Sequence, residues 1–392
     1  MSNGEKVAQI AMVGAGWWSQ GWHLPHLSRN PNSKIVAIVD TAEHPKSSLD
    51  PNLQPLAALQ EKYECPIFSS VQELFEKEPD LAASLDGVIV CTPHATHSDI
   101  GGFLLQQSAS RAKPLHVLME KPMTTNVDQA KKLHRAASSS PSSLFMVNHS
   151  ANFIPQTIQA RKLVESGAIG DIQHITGFMA SPLSWIFEDP ANTGWNEPTP
   201  GVMIGNGFAW GQASHLLAWI YHVCGPTALI PQKVYCTMHH SQTTGADVAH
   251  AASINCNNNV TMSLSGTSLL PGNAHSDPPV AKQIDIKIYG TKGAIHYGGD
   301  DRESTSGRLE LRRGPGHDDE GAVQVHCPDL GFQFEELDQD GTGPLSVQNF
   351  LKKCVGDECY VGADSLVGFR SIQTLDAMYR SQASGMPEEV VQ

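Results

Sequence analysis

Short apolar runs alternate with helical patterns along the first part of the chain. The apolar runs of strand length are Val7–Val13, Lys34–Asp40, Asp86–Thr92, His116–Met119 and Leu144–Asn148. The segments with apolar residues at helical spacing are Leu53–Tyr63, Val71–Lys77 and Asn126–Ala137. Strands that alternate with helices in this way predict a parallel sheet with crossover helices, and so an α/β domain over residues 1–150.

The pattern changes from about Ala151 onwards. The predicted helices of this part are Thr157–Ser166, Ala213–Cys224, Leu345–Val355 and Ser365–Ser384. The predicted strands are Ile172–Met179, Lys233–His239, Ala251–Cys256, Thr261–Gly266, Asp285–Tyr289 and Arg308–Arg312. Several of these strands alternate apolar and polar residues, which predicts an antiparallel sheet with one solvated face. Residues 151–392 are therefore predicted to form an α+β domain, with Pro271–Pro279 as a polar loop.

Composition excludes several classes of function. The chain has 392 residues, with 26 Lys and Arg against 40 Asp and Glu, and a net charge of −14. An acidic chain without a local basic patch is not expected to bind nucleic acid. The longest apolar runs are much shorter than the ~20 residues that span a bilayer, so no membrane segment is predicted. The eight cysteines contain no CxxC pair, which predicts free thiols and a cytoplasmic location.

A glycine-rich turn follows the first predicted strand and opens a helix. Its residues are Gly14, Ala15, Gly16, Trp17, Trp18 and Ser19. The first glycine permits the tight turn, and the second lets the backbone approach a pyrophosphate, which the N–H groups of the helix N-terminus bind. Ser19 replaces the usual third glycine, and a small residue there still allows the helix and the strand to pack closely. His23 either belongs to this site or packs behind the turn.

Asp40 ends the second predicted strand, 24 residues beyond Gly16. A carboxylate at this point accepts hydrogen bonds from the adenosine ribose hydroxyls and repels a 2′-phosphate. No arginine follows it within the next three residues. The sequence therefore favours NAD over NADP. The alternative is a similar turn that binds another nucleotide or none.

Further motifs follow in order along the chain. They are CTPHATH at 91–97, EKP at 120–122, ARKLVESGAIGDI at 160–172 and YGTKGAI at 289–295, after GAGWWSQGWHLP at 14–25. Together they resemble the glucose–fructose oxidoreductase/inositol dehydrogenase (Gfo/Idh/MocA) family over essentially the whole chain. The resemblance implies a Rossmann domain followed by an α+β domain with a large, mostly antiparallel open sheet. It also implies hydride transfer between a nicotinamide and a small-molecule polyol, namely a sugar, sugar derivative or cyclitol.

The resemblance also implies roles for individual residues. Thr92, Pro93 and His97 are expected to line the cofactor, and Glu120 to lie near the nicotinamide ribose. The Lys121–Pro122 bond is expected to be cis. The family further suggests that an exposed face of the large sheet pairs subunits into a homodimer or homotetramer. We also expect that the C-terminal helices can pack back on the first domain.

Two residues are the candidate catalytic groups. Oxidation of a secondary alcohol needs a group that takes the hydroxyl proton and a group that stabilises the developing alkoxide. Lys121 follows a central strand, where ligands of such sheets bind, and is the candidate for stabilising the alkoxide; the alternative is a surface lysine. His215 lies in a glycine-rich lead into a helix and is the candidate base; the alternative is a histidine on a half-buried helix face. His222 is predicted to be structural.

The sequence departs from the family around His215. Many members have an aspartate four residues before the histidine, one turn earlier on the helix, where this chain has Gly211. Ala218 replaces a second frequent aspartate. Asn152 stands where an Arg or Tyr is common. The substrate identity is therefore not carried over. Other side chains that can bind a polyol are Asn152, Asn206, Gln212 and Trp18.

Two other functions remain open. An enzyme of this kind can retain its NAD and oxidise a sugar transiently to cleave a glycosidic bond, and a related protein can bind NAD as a non-catalytic regulator. Loss of the aspartate at Gly211 favours the regulator, whereas Lys121 and His215 favour an enzyme. No metal site is predicted, because neither the His94–His97 pair nor the His239–His240 pair has a carboxylate or thiolate at useful spacing.

Overall fold

The computed structural model describes residues 6–272, 282–300, 306–332, 334 and 340–392. The chain forms two compact units. The first comprises Met1–Thr124, Asp128–His149 and Glu336–Ser365, and the second comprises Thr125–Val127, Ser150–Glu335 and Leu366–Gln392. The division into domains at residue 150 remains a prediction, and the first unit differs from it by including the late segment 336–365.

A parallel sheet forms the centre of the first unit, as predicted, and has six strands, of which the short strand Ile67–Phe68 was not predicted. Its strands are β1 (Ala8–Val13), β2 (Ser33–Val39), β3 (Ile67–Phe68), β4 (Gly87–Val90), β5 (His116–Met119) and β6 (Phe145–Val147). Its first helices are α1 (Leu24–Arg29), α2 (Leu56–Tyr63), α3 (Val71–Lys77), α4 (Pro79–Ser84), α5 (His97–Ala109) and α6 (Val127–Ser138). The strand order is β3-β2-β1-β4-β5-β6. Every residue of β4, β5 and β6 is buried, as expected for strands covered on both faces.

A nine-stranded sheet forms the centre of the second unit. Its strands are β7 (Ile172–Ala180), β8 (Pro231–His240), β9 (Asp247–Cys256), β10 (Thr261–Thr267), β11 (Gln283–Gly290), β12 (Gly293–Asp300), β13 (Leu309–Arg313), β14 (Val323–His326) and β15 (Glu388–Glu389). The order is β14-β13-β12-β11-β7-β10-β9-β8-β15, and within the described part of this sheet only β10 and β7 pair in parallel. Burial alternates along β9, so this mostly antiparallel sheet has one covered and one solvated face.

The second unit also carries helices α7 (Pro155–Glu165), α8 (Ser184–Phe187), α9 (Thr193–Asn196) and α10 (Ser214–Cys224). Two further helices follow, α11 (Leu345–Val355) and α12 (Ser365–Ser384), with the predicted bounds. Within the first unit, α11 packs on the sheet so closely that a Cβ on Gly87 would lie 2.7 Å from Phe350 Cζ. Of the predicted loop Pro271–Pro279, residues 273–279 lie outside the described residues. No helix in the described part of the chain is long and apolar enough to cross a membrane.

Candidate active site

The glycine-rich turn lies between β1 and the first helical turn. Gly14 has φ +94°, and a Cβ there would collide with the carbonyl oxygen of Cys91, so the position requires glycine. A Cβ on Gly16 would meet nothing within 4 Å. Protein packing therefore does not require Gly16, and the space beside its backbone is available to a ligand. Both positions fit the predicted dinucleotide turn.

Asp40 holds this turn from the end of β2. Its Oδ2 accepts a hydrogen bond from Ala15 N at 2.7 Å, and its Oδ1 accepts one from Ala42 N at 2.9 Å. A carboxylate has about four lone-pair sites, so acceptor capacity remains for ribose hydroxyls. Asp40 is partly exposed, as that role needs.

The helix after the turn begins with π-type hydrogen bonding at Ser19–His23, before α1. Ser19 is fully buried, consistent with close packing at the third position of the motif. Trp17 and Trp18 are half-buried beside the turn, and Trp18 stacks on Trp22 with ring centroids 5.0 Å apart. One face of the Trp18 ring is therefore already covered by protein.

Glu120 follows β5 and is the centre of a buried hydrogen-bond network. Its Oε1 faces His23 Nε2 at 2.8 Å, Asn148 Nδ2 at 2.7 Å and Trp18 Nε1 at 3.3 Å. Burial raises the pKa of this carboxyl, but the hydrogen bonds from His23 and Asn148 and the nearby positive charges outweigh it and hold the pKa at about 2. Glu120 is therefore ionised and fixed in place. His23 is fully buried and belongs to this network, and its role in the cofactor site stays a prediction.

Lys121 follows directly, and the Lys121–Pro122 bond is cis, as expected. Desolvation lowers the pKa of the Lys121 ammonium, while Glu120 and Cys91 act in the opposite direction. Beside it, burial and the Lys121 charge lower the pKa of His149 to about 3. His149 is therefore a neutral imidazole close to the candidate catalytic lysine, and the sequence analysis did not identify it.

His97 joins the two turns that contain the expected cofactor residues. Its Nδ1 lies 2.9 Å from Pro122 O and its Nε2 lies 3.0 Å from Thr92 O. Burial lowers its pKa, although these carbonyls oppose the shift, and a neutral imidazole donates only one hydrogen bond at a time. Thr92 Oγ1 accepts a hydrogen bond from Thr96 Oγ1 at 2.9 Å, and Pro93 precedes the short 3-10 helix His94–Thr96. His97 is thus placed to fix the shape of this edge of the sheet.

In the second unit, His215 lies in the first turn of α10 and is 2% exposed. The preceding residues Ala209–Ala213 form a π-type turn that runs into α10 without a break. Gly211 lies four residues before His215, so in this continuous helical run the two residues stay about one turn apart.

Close packing explains why residue 211 is a glycine. A Cβ at this position would lie 3.1 Å from Trp195 Cζ3 and 3.2 Å from Phe187 Cζ. These two rings pack edge to face, with centroids 6.2 Å apart. An aspartate side chain at this position would press on this aromatic pair, which sequence reasoning did not find.

Two predicted substrate residues have structural contacts instead. Asn152 is fully buried, and its amide donates to Ala218 O at 3.1 Å. Asn206 is 4% exposed, and its amide donates to the carbonyls of Gly194 and Glu197. Both amides are thus used by backbone carbonyls, and the substrate-binding role of these two side chains stays a prediction.

Gln212 remains a candidate for binding substrate. It is half-buried, and its Oε1 has no hydrogen-bond partner among the described residues. A buried acceptor without a partner calls for an explanation, and a bound hydroxyl group would supply one. His222, in contrast, accepts a hydrogen bond from Arg161 at 3.0 Å, which agrees with its predicted structural role. The described residues contain no group of three or more His, Cys, Asp or Glu side chains that could hold a metal ion.

The chain matches the models of two related protein families. Residues 8–149 match the model of an oxidoreductase family with an NAD-binding Rossmann fold, and residues 157–296 match the GFO/IDH/MocA C-terminal domain. The chain is 25% identical over 170 residues to inositol 2-dehydrogenase of Rhizobium meliloti, which covers 43% of this chain and 44% of that protein. It is 24% identical over 188 residues to D-xylose 1-dehydrogenase [NADP(+)] of Haloarcula marismortui, covering 47% of each. These matches span less than half the length of either relative.

Solved structures share the fold over the whole chain. The WlbA dehydrogenase of Bordetella pertussis, in complex with NADH and UDP-GlcNAcA, superposes with a TM-score of 0.71 at 21% identity. The superposition covers 99% of this chain and 99% of that one. At this identity the likeness establishes the common fold.

Proposed function

Because the chain belongs to the Gfo/Idh/MocA family of NAD(P)-dependent oxidoreductases, we propose that it interconverts a secondary alcohol and a ketone of a sugar, sugar derivative or cyclitol. The observation that carries this proposal is the pair Glu120 and Lys121 at the carboxyl end of β5, with Glu120 held ionised by His23 and Asn148. Ligands of open parallel sheets bind at this end of the strands. The names of the two dehydrogenase relatives support a polyol substrate.

We propose NAD as the cofactor in preference to NADP. Gly14, Gly16 and Asp40 would hold the dinucleotide, with Thr92, Pro93, His97, Trp17, Trp18 and Ser19 around it. Asp40 supports NAD because its carboxylate would repel a 2′-phosphate. Bound NAD would supply an acceptor for the hydride of the carbinol carbon.

Residues of this chain would accept the proton and stabilise the negative charge. His215 is proposed as the base that accepts the hydroxyl proton. The Lys121 ammonium is proposed to stabilise the oxygen as negative charge develops on it. The unpaired Oε1 of Gln212 would accept a hydrogen bond from a further substrate hydroxyl.

The experiment is an assay of NADH formation with NAD and NADP in parallel, across aldoses, glycosides and inositols. Lys121→Ala and His215→Ala should abolish turnover and leave NADH affinity nearly unchanged. The matched controls Lys132→Ala and His239→Ala alter exposed residues and should retain full activity. Turnover that survives both active-site changes would refute the assignment. Sugar cleavage without accumulation of NADH would instead identify an NAD-retaining glycosidase.

We also propose that the protein is a homodimer or homotetramer in the cytoplasm. The solvated face of the large sheet carries Tyr235, Phe178 and Tyr289, which are 45%, 36% and 40% exposed. Pairing of two such faces would cover these rings. All eight cysteines are free thiols, which supports a reducing compartment. Light scattering on a sizing column tests the oligomeric state, and a monomer would contradict it.

A further inference from the structure

A buried carboxylate lies behind the segment that leads to His215. Asp247 is the first residue of β9 and is fully buried. Its Oδ2 accepts a hydrogen bond from Ala209 N at 2.8 Å. Ala209 is the first residue of the π turn that continues into α10. Asp247 therefore caps this helical run from a neighbouring strand, at the end where the helix dipole favours a negative charge.

The backbone of the segment also lies directly on Asp247. Asp247 N donates to Asn206 O at 3.2 Å, and Gly207 forms an isolated bridge with Asp247. Gly207 has φ +144°, and a Cβ there would lie 2.6 Å from Asp247 Oδ1. Only glycine permits this approach. The side chain of Asn206 closes the turn, because its Oδ1 accepts from Gly207 N at 3.0 Å.

Tyr379 of α12 holds the same segment from the other side. Its hydroxyl donates to Asp247 Oδ1 at 2.5 Å, and its ring stacks on Trp210 with centroids 5.2 Å apart. A Cβ on Gly205 would lie 2.6 Å from Tyr379 Cδ1. Residues 205–210 are therefore fixed between β9 and α12 through a single carboxylate and a single phenol.

Burial of the Asp247 carboxylate costs folding free energy. Burial raises the pKa of Asp247 to about 6, although the hydrogen bonds from Tyr379 and Ala209 oppose the shift. The other titratable groups that act on it are Cys236 and His240 of β8. A well-packed apolar residue is often at least as stabilising as a buried charge, so stability alone does not explain the aspartate. A geometric role does explain it.

We propose that Asp247 is a positioning residue, which fixes the start of the helical run 209–224 and thereby the direction in which His215 points. The catalytic consequence rests on the proposed function of His215. The conformational part does not, because it concerns only the order of residues 205–213.

The first measurement is hydrogen exchange of amides 205–213 in the whole protein. Asp247→Ala and Tyr379→Phe should raise this exchange roughly tenfold or more, because the cap or its partner is lost. Asp247→Asn should exchange within about twofold of the wild type. Its amide oxygen can accept from Ala209 N, and its NH₂ can donate to the Tyr379 oxygen. The control is Tyr221→Phe, which removes the hydrogen bond of another buried tyrosine, to Thr374 at 2.6 Å, and should leave residues 205–213 unchanged.

The second measurement is turnover of the polyol found in the assay above. Asp247→Ala and Tyr379→Phe should lower kcat about 10- to 100-fold, as misplacement of a catalytic group does. NADH affinity should stay unchanged, because the residues proposed to hold NAD lie in the first unit. Asp247→Asn should restore kcat, which loss of bulk stability would not predict.

Two results would overturn the proposal. One is wild-type exchange at 205–213 in both Asp247→Ala and Tyr379→Phe, and the other is an Asp247→Asn protein as defective as Asp247→Ala. If Asp247→Ala does not fold, the comparison of Tyr379→Phe with Tyr221→Phe decides. If the wild type turns over no polyol, the proposed function fails, and the exchange data still decide the role of Asp247.

Discussion

Gly211 offers a sharp test of how the second unit packs around α10. A methyl group at this position would press on Trp195 and Phe187 at 3.1 and 3.2 Å. Alanine in place of glycine stabilises a helix by about 0.5–1 kcal/mol. Overpacking a filled site costs about 1–3 kcal/mol. Gly211→Ala should therefore lower the free energy of unfolding by about 0–2.5 kcal/mol.

Gly211→Asp should cost clearly more than Gly211→Ala. Gly211 is buried, so the carboxylate of an aspartate at this position would lie against the apolar rings of Trp195 and Phe187. Burial of an unpaired carboxylate costs several kcal/mol or raises its pKa until it is protonated. We expect an extra loss of about 2–4 kcal/mol at neutral pH. Because the folded-state pKa is raised, this extra loss should shrink as the pH falls towards that pKa.

Urea unfolding followed by circular dichroism measures these differences. Gly194→Ala is the matched control, since a Cβ there meets nothing within 4 Å, and its change should stay within about 0.5 kcal/mol. Trp195→Ala should recover part of the loss in Gly211→Asp, with a coupling of about 0.5–3 kcal/mol. Equal stability of Gly211→Asp and Gly211→Ala at neutral pH would show that the aromatic pair does not occupy this space, and the packing argument would fail.

Three further changes test other parts of the structure. Gly14→Ala forces a side chain into a left-handed backbone and onto a carbonyl, so NADH affinity should fall at least about tenfold in a fluorescence titration. Glu120→Gln removes the carboxylate that raises the Lys121 pKa; the pKa should fall further, and the alkaline limb of the pH–rate profile should move to lower pH. Glu120 has a pKa of about 2 in the folded state and about 4.3 in the unfolded state, so its contribution to stability is complete above about 4.3 and is lost as the pH falls towards 2. Glu120→Gln should therefore weaken the fall of the melting temperature at acid pH in thermal melts. Asp247 has a raised pKa in the folded state, so its contribution to the free energy of unfolding declines as the pH rises from about 4 to 6. Asp247→Asn should therefore be at least as stable as the wild type at neutral pH.

Local signals in the sequence account for what could be predicted. The strand, the turn Gly14–Gly16 and Asp40 are close in sequence, and each residue has a short-range physical reason. The bounds of α11 and α12 follow from clear apolar periodicity. In contrast, α5 was missed because Gly101 and Gly102 interrupt its pattern. Gly101 is needed where the helix touches the sheet, since a Cβ there would lie 2.9 Å from Met119 Cε.

Side-chain networks could not be predicted, because their members are far apart along the chain. His23 and Glu120 are separated by 97 positions, and Asp247 and Tyr379 by 132. Neither His23 nor Asp247 has a neighbour in sequence that indicates its partner. The backbone contacts of Asn152 and Asn206 could not be predicted for the same reason, because a polar residue type does not reveal which backbone groups it will contact.

The return of α11 to the first unit affects how the chain can fold during synthesis. Phe350 and Cys354 cover Gly87 of β4, and Phe350 is fully buried there. About 195 residues separate His149 from α11, and a ribosome needs about 10–40 s to add them. During that time the nascent first unit presents an uncovered apolar surface. A fragment that ends near residue 150 should therefore aggregate or recruit chaperones, and adding the α11 segment in trans should protect it.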